Sequence, residues 1–130
     1  MPGCVLRVGG EDLDPEVIPG EGGLKACLIP RRERAGSPSE KKVNRGFNLN
    51  VSVAGGDDLA AQVKDAVAFL AKHEGELRGL RSMPGVTGMS LDFGCWQKDV
   101  AAQYLRFSPE LLALAGGLGI GLELSLYAVG

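Results

Sequence analysis

"SPELLALAGGLGIGLELSLY" runs from Ser108 to Tyr127, and the reading of its glycines decides the class of fold. Ser108 followed by Pro109 and Glu110 starts a helix: serine accepts from a free N–H, proline fits the first turn, and glutamate favours its positive end. From Ile120 the pattern changes, with Ile120, Leu122, Leu124 and Leu126 alternating with Glu123, Ser125 and Tyr127 as in a strand closing the chain near Val129. Gly116, Gly117, Gly119 and Gly121 therefore follow a helix and precede a strand. A phosphate loop needs the reverse order, because N–H groups at a helix start point at the anion. No triplet here fits GxGxxG. Gly116 and Gly121 have the P-loop separation, yet Leu122 and Glu123 stand where lysine and a hydroxyl residue belong. The cluster is expected to be a corner, where glycine supplies the left-handed turn that stops a helix.

Working back from that corner, Met89, Leu91, Phe93 and Cys95 alternate with Ser90, Asp92 and Gly94 as a half-buried strand. Before it, Leu59, Val63, Ala66, Val67 and Leu70 fall on one stripe at helical spacing, continued by Leu77 and Leu80. Asp57 or Asp58 caps this helix, Gly75 weakens it, and Pro84 with Gly85 ends it. "FNLNVSV", Phe47 to Val53, is the cleanest strand, with Asn48, Asn50 and Ser52 on a wet face. Near the start, Cys4 to Val8 reads as a strand. "DLDPEVI" reads as a short helix capped by Asp14 and stopped at Pro19 and Gly20, and Leu24 to Ile29 as a second strand. The stretch from Trp96 to Phe107 reads as a loop with local structure.

The order strand, helix, strand, strand, helix, strand, helix, strand predicts an α+β fold. Its first six elements fit a ferredoxin-like βαββαβ unit with a helix and strand appended, making a two-layer sandwich with helices on one face of a mostly antiparallel sheet. At 130 residues the chain is expected to form a single domain with one core.

Pro30 to Gly46 is the one marked shift in composition, with Arg31, Arg32, Arg34, Lys41, Lys42 and Arg45 against Glu33 and Glu40. Its local charge of +4, set against −2 for the whole chain, leaves −6 elsewhere. It reads as a mobile basic loop, suited to an acidic protein or a small anionic ligand. The net charge argues against nucleic acid as the main partner. The longest uncharged stretch, between Glu110 and Glu123, is too short to span a membrane. No export signal is visible. Cys4, Cys27 and Cys95 lack CxxC or zinc spacing and are expected to be reduced, structural thiols in the cytoplasm.

The "GEDLDPEVI" segment after a first strand, the "FNLNVSV" strand, the amphipathic helix and the terminal "SPELLALAGGLGIGLELSLY" resemble bacterial domains of unknown function, the family numbered 4279. There too, a last helix led by Ser/Thr-Pro-Glu precedes a strand ending in tyrosine. The stretch from Pro19 to Gly46 departs from that family's pattern. The resemblance implies a bacterial, cytoplasmic protein with a partner-binding or immunity-type role, and no catalytic residues to carry over.

Chemistry-bearing residues are few. His73, the only histidine, is expected on solvated helix surface. Glu11, Asp12, Asp14, Asp57 and Asp58 are explained by turns and caps. Trp96, Tyr104 and Phe107 with Lys98 and Arg106 form the one aromatic-basic segment, read as packing over the sheet edge. Outward strand positions carry asparagine, serine and aspartate where a ferredoxin-like RNA binder needs aromatics. The expected function is a non-catalytic protein- or ligand-binding domain, without cofactor or metal. Its candidate surface comprises Arg31, Arg32, Arg34, Lys41, Lys42, Asn48, Asn50 and Trp96. The alternative is an enzyme acting on a small anionic ligand at the loop end of the sheet.

Overall fold

Among the described residues, the strand pattern and the helix caps resolve into an α+β fold with a four-stranded mixed sheet and three α-helices. A computed structural model of the chain describes residues 2–11, 13–14, 16, 18, 23–30 and 46–128. Its elements are β1 (Cys4–Gly10), β2 (Gly46–Ser52), α1 (Leu59–Lys72), α2 (Glu74–Arg81), β3 (Val86–Trp96), α3 (Pro109–Gly117) and β4 (Ile120–Tyr127). The sheet order is β2-β1-β3-β4. β1 is antiparallel to both neighbours, while β3 and β4 run parallel. β2 and β3 thus point the same way with β1 between them, and α1 and α2 carry the chain over β1. The α3 segment makes the second crossover.

Alternation fixes the register. Leu6 stands opposite Leu49 on one side and Leu91 on the other, and Leu91 in turn opposite Leu122. Phe93 lies between Cys4 and Leu124. This face meets Leu59, Val63, Ala66, Phe69 and Leu70 of α1, Leu77 and Leu80 of α2, and Leu111 and Ala115 of α3 in one buried cluster. Burial fails toward the end of the edge strand: Ile120 is 4% exposed, but Leu124 is 37% and Leu126 48%. Both leucines expected inside therefore sit on the helix-facing side of β4, beyond the helices' cover.

The caps form as the sequence implies. Asp58 Oδ1 accepts Ala61 N–H at 3.1 Å, and Ser108 Oγ accepts Leu111 N–H at 3.2 Å. The glycine cluster is a corner: Gly119 adopts φ +73° just after α3. A Cβ there would also meet Arg81 Nε at 2.7 Å.

Expected features differ at three places. Ser52, expected on the wet face of β2, is 4% exposed and stands opposite the buried Cys4, because a register shift breaks the alternation there, while Val53 is 84% exposed. Leu24 to Ile29 is not a strand: Lys25–Cys27 is a 3-10 turn, and only a single bridge, Leu28 to Leu49, joins the sheet. Leu24 is fully buried, so this apolar run packs as a turn without needing a strand's alternation. The expected helix after Asp14 is described only in part. Asp14 Oδ1 accepts Glu16 N–H at 2.9 Å, while Pro15, Val17 and Pro19 lie outside the described residues. The main helix also divides, at His73 rather than Gly75, because His73 leaves helical geometry with φ −106° and ψ 21°.

Candidate functional site

The sheet face turned away from the helices is a polar platform. Across it, Asn50, Val5, Asp92 and Glu123 form one row and Asn48, Arg7, Ser90 and Gly121 the next. Asp92 is its fixed centre, accepting from Arg7 at 2.7 Å and from Ser125 Oγ at 2.7 Å. Arg7 Nε also lies 3.9 Å from Glu123. Asn48 is half-buried and Asn50 exposed, both beside β1 on this face. The charges here are largely spent on one another. Arg31, Arg32, Arg34, Lys41 and Lys42 lie outside the described residues.

A different place has the shape of a binding site. A cleft of about 580 Å³ lies between the first half of α1 and the segment leading into α3. One wall is the α1 stripe Leu59, Ala60, Val63, Lys64 and Val67, spaced so that one helix side faces the opening. The other wall alternates: Leu105 and Phe107 pack toward the core while Tyr104 and Arg106 stay exposed. Phe107 anchors this wall by meeting Phe93 edge-on, with ring centroids 5.1 Å apart. Gln103 closes the segment on itself, accepting from Lys98 N–H at 3.0 Å and donating to Trp96 O at 3.0 Å.

Beside the cleft, though not in its lining, Gln62 is fully buried on α1. Its Nε2 donates to Gly94 O at 2.8 Å, Gly55 O at 3.0 Å and Ala54 O at 3.3 Å. That fork joins α1, β3 and the turn entering α1, and so positions Gly56 and Asp57 at the rim. Trp96, proposed from sequence as a contact residue, stands behind this wall. Its backbone N–H donates to Gly56 O at 3.2 Å, and its ring meets Tyr127 edge-on at 6.3 Å.

Burial grades the lining from floor to rim. Leu59 and Val63 are buried and Val67 and Leu105 half-buried, whereas Lys64, Lys98, Arg106, Asp57, Glu110 and Tyr104 are exposed. Lys98, Tyr104 and Arg106 form one segment in the sequence, expected over the sheet edge, and the fold sets them against Ala60, Lys64 and Val67. No spacing rule links residues so far apart.

The side chains best suited to catalysis lie elsewhere. No histidine or cysteine lines the cleft, and Ser108 Oγ is engaged as the α3 cap. His73, expected on the surface, is only 3% exposed. Its Nδ1 lies 2.8 Å from Glu76 Oε1, and its ring packs on Phe69 at 4.8 Å between centroids. The helix break turns this polar stretch inward, which local composition does not reveal. All three cysteines are free, with Cys4 and Cys95 buried. Burial, with the nearby charges of Asp92 and Asp65 adding, pushes the Cys4 thiol up to about 12. Burial also raises that of Cys95. Neither is a ready thiolate nucleophile.

No helix among the described residues is long and apolar enough to cross a membrane. No family model, curated protein or solved structure matches the chain significantly. The functional reading therefore rests on the cleft itself.

Proposed function

We propose that the protein is a non-catalytic ligand-binding domain that takes a small organic molecule in the cleft between α1 and the segment from Lys98 to Glu110. One observation carries this reading: a cleft of about 580 Å³ whose floor is apolar and whose rim is charged. Small-molecule sites commonly enclose about 300–1,000 Å³ with an apolar lining and a few placed polar groups. Both walls are fastened by side-chain hydrogen bonds and ring packing, which lowers the ordering cost of binding. A recess of about 580 Å³ suits a small ligand better than the broad contact an acidic protein would make.

As part of the same proposal, the architecture is read as a two-layer, ferredoxin-like sandwich in which β4 is one of the four strands, set beside β3 by the α3 crossover. The three free thiols support a reducing compartment, and the proposal places the protein in the cytoplasm. The enzymatic alternative has less support, since Asp57 and Glu110 belong to helix starts and, among the described residues, no base is set against a nucleophile in the cleft.

Ala60 tests the proposal. It is an exposed α1 residue on the cleft wall, so Ala60→Trp fills the recess without entering the core. The neutral dye Nile red should gain fluorescence with the wild-type protein and lose most of that gain with Ala60→Trp. Equal dye signals from two equally stable proteins would sink the reading.

A further inference from the structure

The cleft's charges specify its ligand more narrowly. Among the described residues, three cations, Lys64, Lys98 and Arg106, and two carboxylates, Asp57 and Glu110, stand at the rim. None of the five forms an ion pair with a described residue. The carboxylates are offset in another way. Asp57 lies just before α1 and Glu110 in the first turn of α3. Each helix start carries about half a positive charge, enough to neutralise much of a nearby carboxylate. The cations have no such compensation: Lys64 is a turn inside α1, and Lys98 and Arg106 are in irregular chain. The formal excess is therefore one positive charge, and the uncompensated field at the rim is cationic.

Beneath that rim, Leu59, Val63, Val67 and Leu105 offer branched aliphatic surface with no charged group of their own. Water against such surface is displaced favourably by hydrocarbon, at roughly 25 cal/mol per Å². A highly charged polyanion would leave this floor unused and exceed the rim's single net charge. A cation would meet Lys64, Lys98 and Arg106. A purely apolar molecule would bury the floor but leave the rim unanswered.

Resting on the reading of the cleft as a ligand site, we propose that its ligand is an amphipathic organic anion: a hydrocarbon body bearing one carboxylate, sulfonate or phosphate head. The body lies along Leu59, Val63, Val67 and Leu105. The head sits at the rim with Lys64, Lys98 and Arg106, where the Ser108 hydroxyl hydrogen is also free to donate. Charge-assisted bonds to one head group are strong enough to decide selectivity among ligands that share a hydrocarbon body.

The test is displacement of Nile red from the 130-residue protein by decanoate, decanol and decyltrimethylammonium, each below its aggregation limit. Decanoate should displace the dye at concentrations at least about tenfold lower than the other two, one well-made ionic contact's worth. That advantage should fade as salt screens the rim. Lys64→Glu combined with Arg106→Glu should remove it while leaving displacement by decanol unchanged. Both residues are exposed, so a melting curve should confirm that this variant folds.

Equal displacement by decanoate and decanol in the wild type would overturn the anionic class while leaving the cleft as a ligand site. A dye signal indifferent to Ala60→Trp would instead overturn the cleft itself. Binding to phosphatidylglycerol vesicles, with no displacement by free decanoate, would overturn the proposal in favour of a membrane surface.

Discussion

His73 Nδ1 meets Glu76 Oε1 at 2.8 Å inside the joint between α1 and α2. A carboxylate can only accept, so the imidazole N–H donates, and the pair is shielded by Phe69. Glu76 Oε2 is buried with no hydrogen-bond partner among the described residues. Removing the imidazole would strand the other oxygen as well. An unpaired buried acceptor costs about 1–3 kcal/mol, more when charged, and the lost ring packing adds to it. His73→Ala should therefore destabilise the protein by about 2–4 kcal/mol in urea unfolding. Glu76→Gln, which keeps an acceptor for the imidazole, should cost less. A His73→Ala loss below about half a kcal/mol, the scale of ordinary surface substitutions, would refute the buried pair.

Gln62 offers a sharper test, because three carbonyls converge on one amide nitrogen. Gln62→Glu keeps the size but replaces the donor by an oxygen facing Ala54, Gly55 and Gly94. Gln62→Met removes the donor without adding charge. The glutamate should be the worse substitution, about 3–5 kcal/mol against about 1–3 kcal/mol, as expected for an uncompensated buried charge against lost hydrogen bonds. Since the same fork holds the turn at Gly56 and Asp57, both variants should also weaken dye binding in the cleft. Chemical denaturation of the three proteins side by side checks the order, and a harmless glutamate would contradict this hydrogen-bond arrangement.

These two residues show where the sequence ceased to be legible. Phe47 to Asn50 and Ile120 to Leu122 announced their faces because a strand's side chains alternate, so period two is visible locally. Beyond Asn50 a register shift opposite Cys4 and Val5 breaks that period, which no local pattern reveals. Asp58 and Ser108 were readable as caps because a cap's partner lies only three residues ahead. "LKACLI" had apolar content without a period, and packing made it a turn. His73 is surrounded in sequence by Lys72, Glu74 and Gly75, a polar neighbourhood that only the change of direction between α1 and α2 carries inward. The cleft is legible least of all: Lys64 and Arg106 share a rim because β3 and α3 bring distant segments together, and nothing in either segment names the other.

Where the period was clear, the energetic consequence is correspondingly direct. Phe93 is fully buried at the centre of the sheet, between Cys4 and Leu124, with Phe107 against its edge. Phe93→Ala should cost about 3–5 kcal/mol, the usual range for a buried phenylalanine. Phe107 is only half-buried, so Phe107→Ala should cost less and should disturb the cleft wall through Leu105 and Arg106. A calorimetric scan in which the Phe93 variant melts with the wild type would show that this ring is not the centre of the core.

The thiols give the pH dependence. Burial, reinforced by the charges of Asp92 and Asp65, raises the Cys4 thiol from an ordinary 9.0 to about 12 in the folded protein. Above pH 9 the unfolded chain releases this proton and the folded chain keeps it, so unfolding becomes more favourable as pH rises. The contribution is fully present below about pH 9 and is lost between there and about pH 12, with a slope of at most about 1.4 kcal/mol per pH unit for one group. Cys95 shifts in the same direction and adds to the loss. Cys4→Ala should be less stable than the wild type at pH 7, because it leaves a small cavity, yet lose less stability between pH 9 and 11. Urea unfolding across that range measures the difference in slope, and parallel curves would show that Cys4 is not held protonated by the fold. In the native protein at pH 8, the half-buried Cys27 should accordingly react with a thiol reagent well before Cys4 and Cys95.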